Sequence, residues 1–387
     1  MPEGRLFGSD RNDGRFVSSL AGVHDVYRRS RPRLALECCE NPEQVPAWQS
    51  RVRSRLRKVL SFPTSPPQPP PLLVGREHRD GYELQRWELY PEPGVVAPFL
   101  TLVPNGASRK KRVPLVLCFP GTDHSKELLA GEEETHGRPG NPDVWFPEHN
   151  RMAWWYARHG MAAVAIDNPG TCEQAEPQLP GRSALVYALL WLGRNYLGLS
   201  TYRGLQLYRW AKKLPFVDPK RIAVSGHSLG TGPATALAVL EPRIAALVYN
   251  GNLQSRRAAA VSTGLEPMPP WHYTPGLLEW FDLPDLVAAV APRPALVCEG
   301  GLGYDLRRVR RIYRLLDASS AFKVHHFPKY SNRACRKTDK RYPPEGLTKE
   351  EFKTWAVLDS SQHYFKEKAA APWLLRQMSC KSQDNMS

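Results

Sequence analysis

Hydrophobic and polar positions change their period several times along this chain. In the N-terminal quarter Trp48, Val52, Leu56 and Leu60 recur every fourth residue, the stripe of an amphipathic helix, while Arg51, Arg53, Arg55 and Arg57 fill the other positions as a solvated face. Residues 82–89 and 97–103 alternate in the manner of antiparallel strands half covered by a core, and Pro91-Glu92-Pro93-Gly94 supplies a turn between them. Residues 113–119 and 162–166 are instead continuous apolar runs, the pattern of strands covered on both faces. Further strands are expected at 221–225, 244–249, 295–299 and 322–327. Helical patterns fall between and around them at 144–159, 184–197, 204–213, 231–240, 306–316 and 366–378. Strands alternating with helices define an α/β chain with a doubly wound, mostly parallel sheet, right-handed crossovers and an N-terminal helical extension. No internal repeat interrupts the pattern.

Punctuation divides the 387 residues into parts. Residues 1–20 are rich in Gly, Asp and Arg and are expected to be disordered; residues 21–71 form a helical extension, helical over 22–60, and a Pro-rich connector at 63–71. Residues 72–379 form the main domain and 380–387 a tail. A net charge of +15 invites a nucleic-acid partner. The helical spacing within Arg51–Lys58 assigns that charge to a solvated helix face, and Arg109-Lys110-Lys111-Arg112 reads as a hairpin tip, so no nucleic-acid partner is expected. No apolar run is long enough for a membrane span, and the first residues lack the apolar core of a secretory signal, so a cytoplasmic location and no membrane partner are expected. Seven scattered cysteines without a CxxC pair fit a reducing compartment, with Cys118 and Cys298 inside buried strands. No His/Cys spacing suits zinc and no glycine-rich phosphate loop is present; neither metal nor cofactor is expected.

Gly226-His227-Ser228-Leu229-Gly230 carries the chemistry. A β-branched run enters it and a run of small helix formers leaves it, the context in which a serine sits on a sharp, strained turn with its Oγ above the sheet edge. The flanking glycines let the strand and helix backbones approach closely. A nucleophilic serine needs a base, an acid that orients the base, and donors for the oxyanion. The strand at 295–299 is followed by Gly300-Gly301-Leu302-Gly303-Tyr304-Asp305, a flexible loop ending in a carboxylate; Asp305 is the expected acid, with Glu299 as its rival and a helix N-cap as its alternative role. Three histidines follow. His325 and His326 alternate within a strand, whereas His363 lies in a loop just before the terminal helix and is the expected base. The backbone N–H groups of Leu229 and Thr122 are the expected oxyanion donors, Thr122 from the loop Phe119-Pro120-Gly121-Thr122-Asp123-His124. The segment 328–358 would then be an excursion that shapes access to the site.

With these residues in place the chain resembles the α/β-hydrolase superfamily, and within it the dienelactone-hydrolase-like and acetyl-xylan-esterase-like branch. The resemblance lies in residues 217–230 around the serine, Ala291-Pro292-Arg293-Pro294 before the acid loop, His363-Tyr364-Phe365, Asp167-Asn168-Pro169-Gly170 and Leu117-Cys118-Phe119-Pro120-Gly121. It extends over roughly residues 80–377. Relatives often carry an aspartate near the position of Gly303, which this chain lacks. The resemblance implies an α/β-hydrolase fold and hydrolysis of carboxylic esters without a cofactor, through Ser228, Asp305 and His363. It points to short acyl esters, including those of carbohydrates, as small-molecule substrates, with Trp154, Trp155, Trp271 and Tyr273 as candidate sugar-stacking surfaces. A peptidase of the same fold and a non-catalytic binding protein are the alternatives. Oligomeric state is left open.

Overall fold

The computed structural model describes residues 7–9, 11–132, 147–176, 178 and 181–379. The start of the helix expected at 144–159, with Trp145, and the 380–387 tail, with Cys380, lie outside the described residues, as do most of the first ten positions. The architecture is a nine-stranded sheet in the order β1-β2-β3-β5-β4-β6-β7-β8-β9. Its strands are β1 (Leu72–Arg79), β2 (Tyr82–Leu89), β3 (Ala97–Pro104), β4 (Val113–Phe119), β5 (Ala162–Ile166), β6 (Val217–His227), β7 (Leu247–Asn250), β8 (Ala295–Val297) and β9 (Phe322–Val324). Pairs from β1 to β3 and from β3 to β5 are antiparallel; every pair from β5 through β4 to β9 is parallel. This is the expected sheet, and it is covered on both faces by helices because its central strands are apolar on both sides. Leu117, Phe119 and Val224 face one core, and Val116, Cys118 and Ala223 face the other.

The departures have local causes. β1 went unpredicted because, as the sheet edge, it leaves Leu72 and Val74 exposed and so carries no buried-face signal. The Arg109–Arg112 cluster is an exposed loop between β3 and β4 rather than a hairpin tip, since β5 lies between those strands. Gly193 at φ 66° stops the helix Arg182–Trp191, and the Asn195 side chain accepts from Gly198 N–H to start the helix Tyr196–Ala211. That break shifts the two helices expected at 184–197 and 204–213.

The N-terminal segment is also not one continuous helix over 22–60. It begins within the part expected to be disordered, as a helix at Ser19–Arg29 capped by Ser18, and resumes at Gln44–Leu60 after a loop holding the turn Leu36–Cys38. Trp48, Val52, Leu56 and Leu60 are fully buried and share one core with Phe119, Val224 and Leu237. The arginine face is not wholly solvated: Arg53 Nε donates to the Val239 carbonyl at 3.1 Å and the Arg55 guanidinium lies 3.4 Å from the centre of the Trp280 ring. The segment is thus built into the sheet's helical layer. Truncation of Leu56 to alanine is expected to cost about 2–5 kcal/mol of global stability. Urea unfolding checks this; a separate early transition, with the main transition unmoved, would contradict a shared core.

Candidate functional site

β6 delivers Ser228 onto a turn that only a particular backbone can make. Ser228 itself has φ 50°, a left-handed conformation that costs a non-glycine residue about 1–3 kcal/mol and persists only where its surroundings enforce it. The enforcement is steric. A Cβ on Gly226 would lie 2.2 Å from the Gly230 carbonyl oxygen, and one on Gly230 would lie 2.2 Å from the Phe119 carbonyl oxygen. The two glycines therefore let the turn fold tightly and press it against the end of β4. The helix Thr231–Leu240 leaves directly from the turn, and Thr231 Oγ1 donates to the Ser228 carbonyl at 2.6 Å.

His363 reaches this turn from the loop before the last helix. Its ring centre lies 4.9 Å from that of His227, the residue preceding Ser228. The loop is pinned to the end of β7 by Asn250, whose Oδ1 accepts from Lys366 N–H at 2.7 Å and whose Nδ2 donates to the Tyr364 carbonyl at 3.0 Å. Phe365 is fully buried behind it. The partner of the His363 ring is Glu299: Nδ1 meets Glu299 Oε2 at 2.7 Å, and the carboxylate is fully buried. Burial pulls the His363 pKa down, but the Glu299 charge and hydrogen bond outweigh it and hold it above the ordinary histidine value. Such a pair fixes the Nδ1–H tautomer and leaves Nε2 as the basic nitrogen.

The structure does not bring Asp305 to His363. Glu299 directly follows Cys298 at the end of β8, and Gly300 and Gly301, at φ 65° and 157°, turn the chain away at once. Gly301 bridges to Leu253, and Gly303 N–H donates to Thr338 Oγ1 at 3.0 Å. Asp305 is thereby carried into the first turn of the helix Gly303–Leu315, where its Oδ2 accepts from Ser255 N–H at 2.7 Å and its Oδ1 pairs with Arg308 at 3.2 Å. Burial, opposed by Arg308, pushes its pKa up to about 7. It is a buried brace, and the carboxylate beside the imidazole is the rival, Glu299. His325 continues the backbone pairing beyond β9, and His326 packs against Gly300.

Around the turn, the loop after β4 is clamped from β5. Asn168 Nδ2 donates to the Gly121 carbonyl at 2.6 Å, and Asp167 accepts from both the backbone and the Nζ of Lys126. The Thr122 carbonyl accepts from Arg182 Nη2. Asn168 had no role of its own in the sequence reading, and its polar character beside a Pro-Gly turn was the available signal. His227 stacks on His124 at 5.2 Å between ring centres; burial, reinforced by the other histidines, holds both neutral, with His124 at about 4. His227, Glu299 and His363 each offer a ligand atom within 4.8 Å of the others. They could hold a metal ion, a cluster invisible to sequence spacing because it joins residues far apart in the chain.

Ser228 and Leu229 open onto a cleft lined also by Asn168, Tyr196, Arg256, Trp271 and His272. Of the aromatic residues expected there, Trp271 is present. Trp154 and Trp155 instead pack against the core on the other side of the sheet, and Tyr273 is half exposed.

A parallel sheet with antiparallel strands at one edge, a strained serine at the end of a central strand, and a histidine and carboxylate from the loops after later strands define the α/β-hydrolase class. The chain belongs to the Abhydrolase family, whose profile matches residues 3–376. It is similar to the structure of a candidate acetyl xylan esterase from Bacteroides fragilis, at 35% identity and a TM-score of 0.87 over 95% of this chain and 97% of that one. A methylesterase (18% identity, TM-score 0.57, 89% and 78% covered) and a glucuronoyl esterase from Solibacter usitatus (13%, 0.53, 77% and 93%) share the fold. No curated protein matches the sequence. Among the described residues no helix is long and apolar enough to cross a membrane.

Removal of the Glu299 charge is expected to lower the pKa of His363, because the imidazolium then loses the group that offsets its burial. NMR titration of the His363 ring in Glu299→Gln should show a fall of about one unit or more, the range set by a close opposite charge. The same titration in Asp305→Asn should match the parent protein. The reverse pattern would return the acid's place to Asp305.

Proposed function

We propose that this protein is a serine carboxylic-ester hydrolase that acts on short acyl esters, carbohydrate esters among them, with Ser228 as nucleophile, His363 as base and Glu299 as the orienting acid. The observation that carries the reading is the 2.7 Å hydrogen bond between the buried Glu299 and a His363 that reaches the turn where Ser228 is held at φ 50° on the edge of an open cleft. The family and the similarity to a candidate acetyl xylan esterase support the substrate class.

In this reading Ser228 Oγ attacks the ester carbonyl carbon while His363 Nε2 takes its proton, and the Leu229 and Thr122 N–H groups receive the charge that develops on the carbonyl oxygen. The tetrahedral intermediate collapses as His363 returns the proton to the leaving alcohol, giving an acyl-enzyme. Water, deprotonated by the same nitrogen, then attacks the acyl carbon; the acid is released and Ser228 regains its proton. Glu299, hydrogen-bonded to Nδ1, holds the ring in orientation and stabilises the transient imidazolium. The reaction so written is closed without any additional group.

A fluorophosphonate should label Ser228 in the parent protein and not in Ser228→Ala, since only an activated hydroxyl reacts at useful rates. On short-chain nitrophenyl esters, His363→Ala is expected to lose on the order of 10⁴ in kcat. Folded His363→Ala turning over near the parent rate would overturn the assignment.

The profile of kcat/KM against pH should rise through one ionisation above the ordinary histidine value, because His363 acts as base only when neutral and Glu299 holds its proton on. The profile should be the same after exhaustive chelation. Loss on chelation with recovery on adding back a divalent ion would instead assign the reaction to a metal at His227, Glu299 and His363.

A further inference from the structure

The cleft that receives the ester is electrically one-sided. None of the residues described as lining it is an aspartate or glutamate, yet Arg256 lines it near Ser228 and Leu229. The Arg256 guanidinium has no carboxylate partner among the described residues; its Nη1 contacts only the Met268 sulfur, at 3.2 Å. Asp282, whose carboxylate binds the Arg256 backbone N–H, is already consumed. Its two oxygens accept from the backbone N–H groups of Arg256, Arg257 and Leu283 and from Ser255 Oγ. That carboxylate fixes where Arg256 begins its helix, Arg256–Ser262, by binding its backbone N–H rather than its guanidinium.

A second guanidinium packs on the cleft-lining Trp271. Arg182 is buried, lies 4.4 Å from the ring centre of Trp271, and has Nε and Nη1 without hydrogen-bond partners; its Nη2 binds the Thr122 carbonyl and reaches Asp123 at 3.4 Å. Trp271 and His272 line the cleft between the two arginines. His272 registers both: burial first, then the charges of Arg256 and Arg182, hold its pKa down at about 3, so it adds a neutral ring with hydrogen-bonding nitrogens. A guanidinium without a carboxylate partner is a ready charge-assisted donor to an anion, and no described carboxylate is paired with that of Arg256.

We propose that the cleft recognises a carboxylate carried by the ester substrate, with Arg256 as the contacting group, Arg182 and Trp271 setting the positive wall, and Ser228 attacking the ester bond of the same molecule. This rests on the serine-esterase reading and narrows it to acidic esters. The carboxylate can belong to the acyl part, as in the half-ester of a dicarboxylic acid, or to the alcohol part, as in an acetylated sugar acid. Both present the planar two-oxygen group that a guanidinium binds in bidentate fashion.

The test compares kcat/KM for matched charged and neutral esters at low ionic strength. One arm sets the mono-nitrophenyl ester of glutaric acid against nitrophenyl valerate, and the other sets acetylated methyl glucuronoside against acetylated methyl glucoside. The expected charged-to-neutral ratio is tenfold or more in one arm, which identifies the part that carries the charge. It should fall at least tenfold in Arg256→Gln, with partial recovery in Arg256→Lys and unchanged thermal midpoints for both variants. Binding is read separately by calorimetry of the charged esters on Ser228→Ala, where Arg256→Gln should abolish saturable binding. A ratio near or below one in both arms, or one that Arg256→Gln leaves unmoved, overturns the proposal. Saturable, Arg256-dependent binding without turnover of any ester or fluorophosphonate labelling of Ser228 would instead uphold the carboxylate site and remove the esterase reading.

Discussion

At the carboxyl ends of the central strands the Phe119 carbonyl occupies the place where a side chain on Gly230 would stand, and the Gly230 carbonyl blocks one on Gly226. That close approach holds Ser228 in a left-handed conformation and sets the loop after β4 against the turn that bears it. Everything functional is arranged around it. Asn168 and Asp167 from the end of β5 clamp the β4 loop, and Asn250 at the end of β7 ties down the segment that bears His363. Four neighbouring parallel strands thus place their chemistry at one edge, as expected for ligands of open α/β sheets.

The same geometry explains what the sequence made legible. Continuous apolar runs identified β4 and β5 because these strands are covered on both faces, a β-branched run marked the end of β6, and the serine was legible because its glycines are a steric necessity rather than a preference. His363 could be placed because it stands in a loop immediately before the last helix. The acid was not legible. Glu299 and Asp305 are six positions apart, and which one meets the imidazole depends on how sharply Gly300 and Gly301 turn, a property of two dihedral angles that no spacing encodes. β1 and the histidine cluster were hidden for related reasons: an edge strand with exposed Leu72 and Val74 lacks a burial pattern, and the cluster exists only once distant strands are adjacent.

The electrostatics of the site follow from burial as much as from charge. His124 and His227 are held neutral, so a protonated His363 would have no second cation beside it from that pair, and Glu299 is the carboxylate within hydrogen-bond reach. A solvated carboxylate would be screened by water and would stabilise that cation far less. Full burial of Glu299 is therefore useful only because the imidazole is beside it; an unpaired buried carboxylate would take up a proton instead. Asp305 illustrates the contrast. Its burial pushes its pKa up to about 7 even with Arg308 adjacent, and its oxygens accept from Ser255 N–H and Arg308 rather than from an imidazole.

That structural role links the N-terminal segment to the cleft. Asp285 accepts from Leu36 N–H at 2.9 Å and pairs with Arg308, which also binds Glu37, so the loop between the first two helices is fastened to the helix Gly303–Leu315. Asp285 also accepts from Asp282 N–H in a capping box, and Asp282 in turn holds the first residues of the helix that presents Arg256. Asp305 fixes Ser255 at the start of that same helix. Three buried carboxylates therefore spend their acceptor capacity on backbone N–H groups and on Arg308, and none remains to neutralise Arg256. The positive charge of the cleft is thus maintained by the same network that packs residues 19–60 against the sheet. Loosening of that packing would act on the cleft-lining Arg256 through named hydrogen bonds, without any change at Ser228, Glu299 or His363.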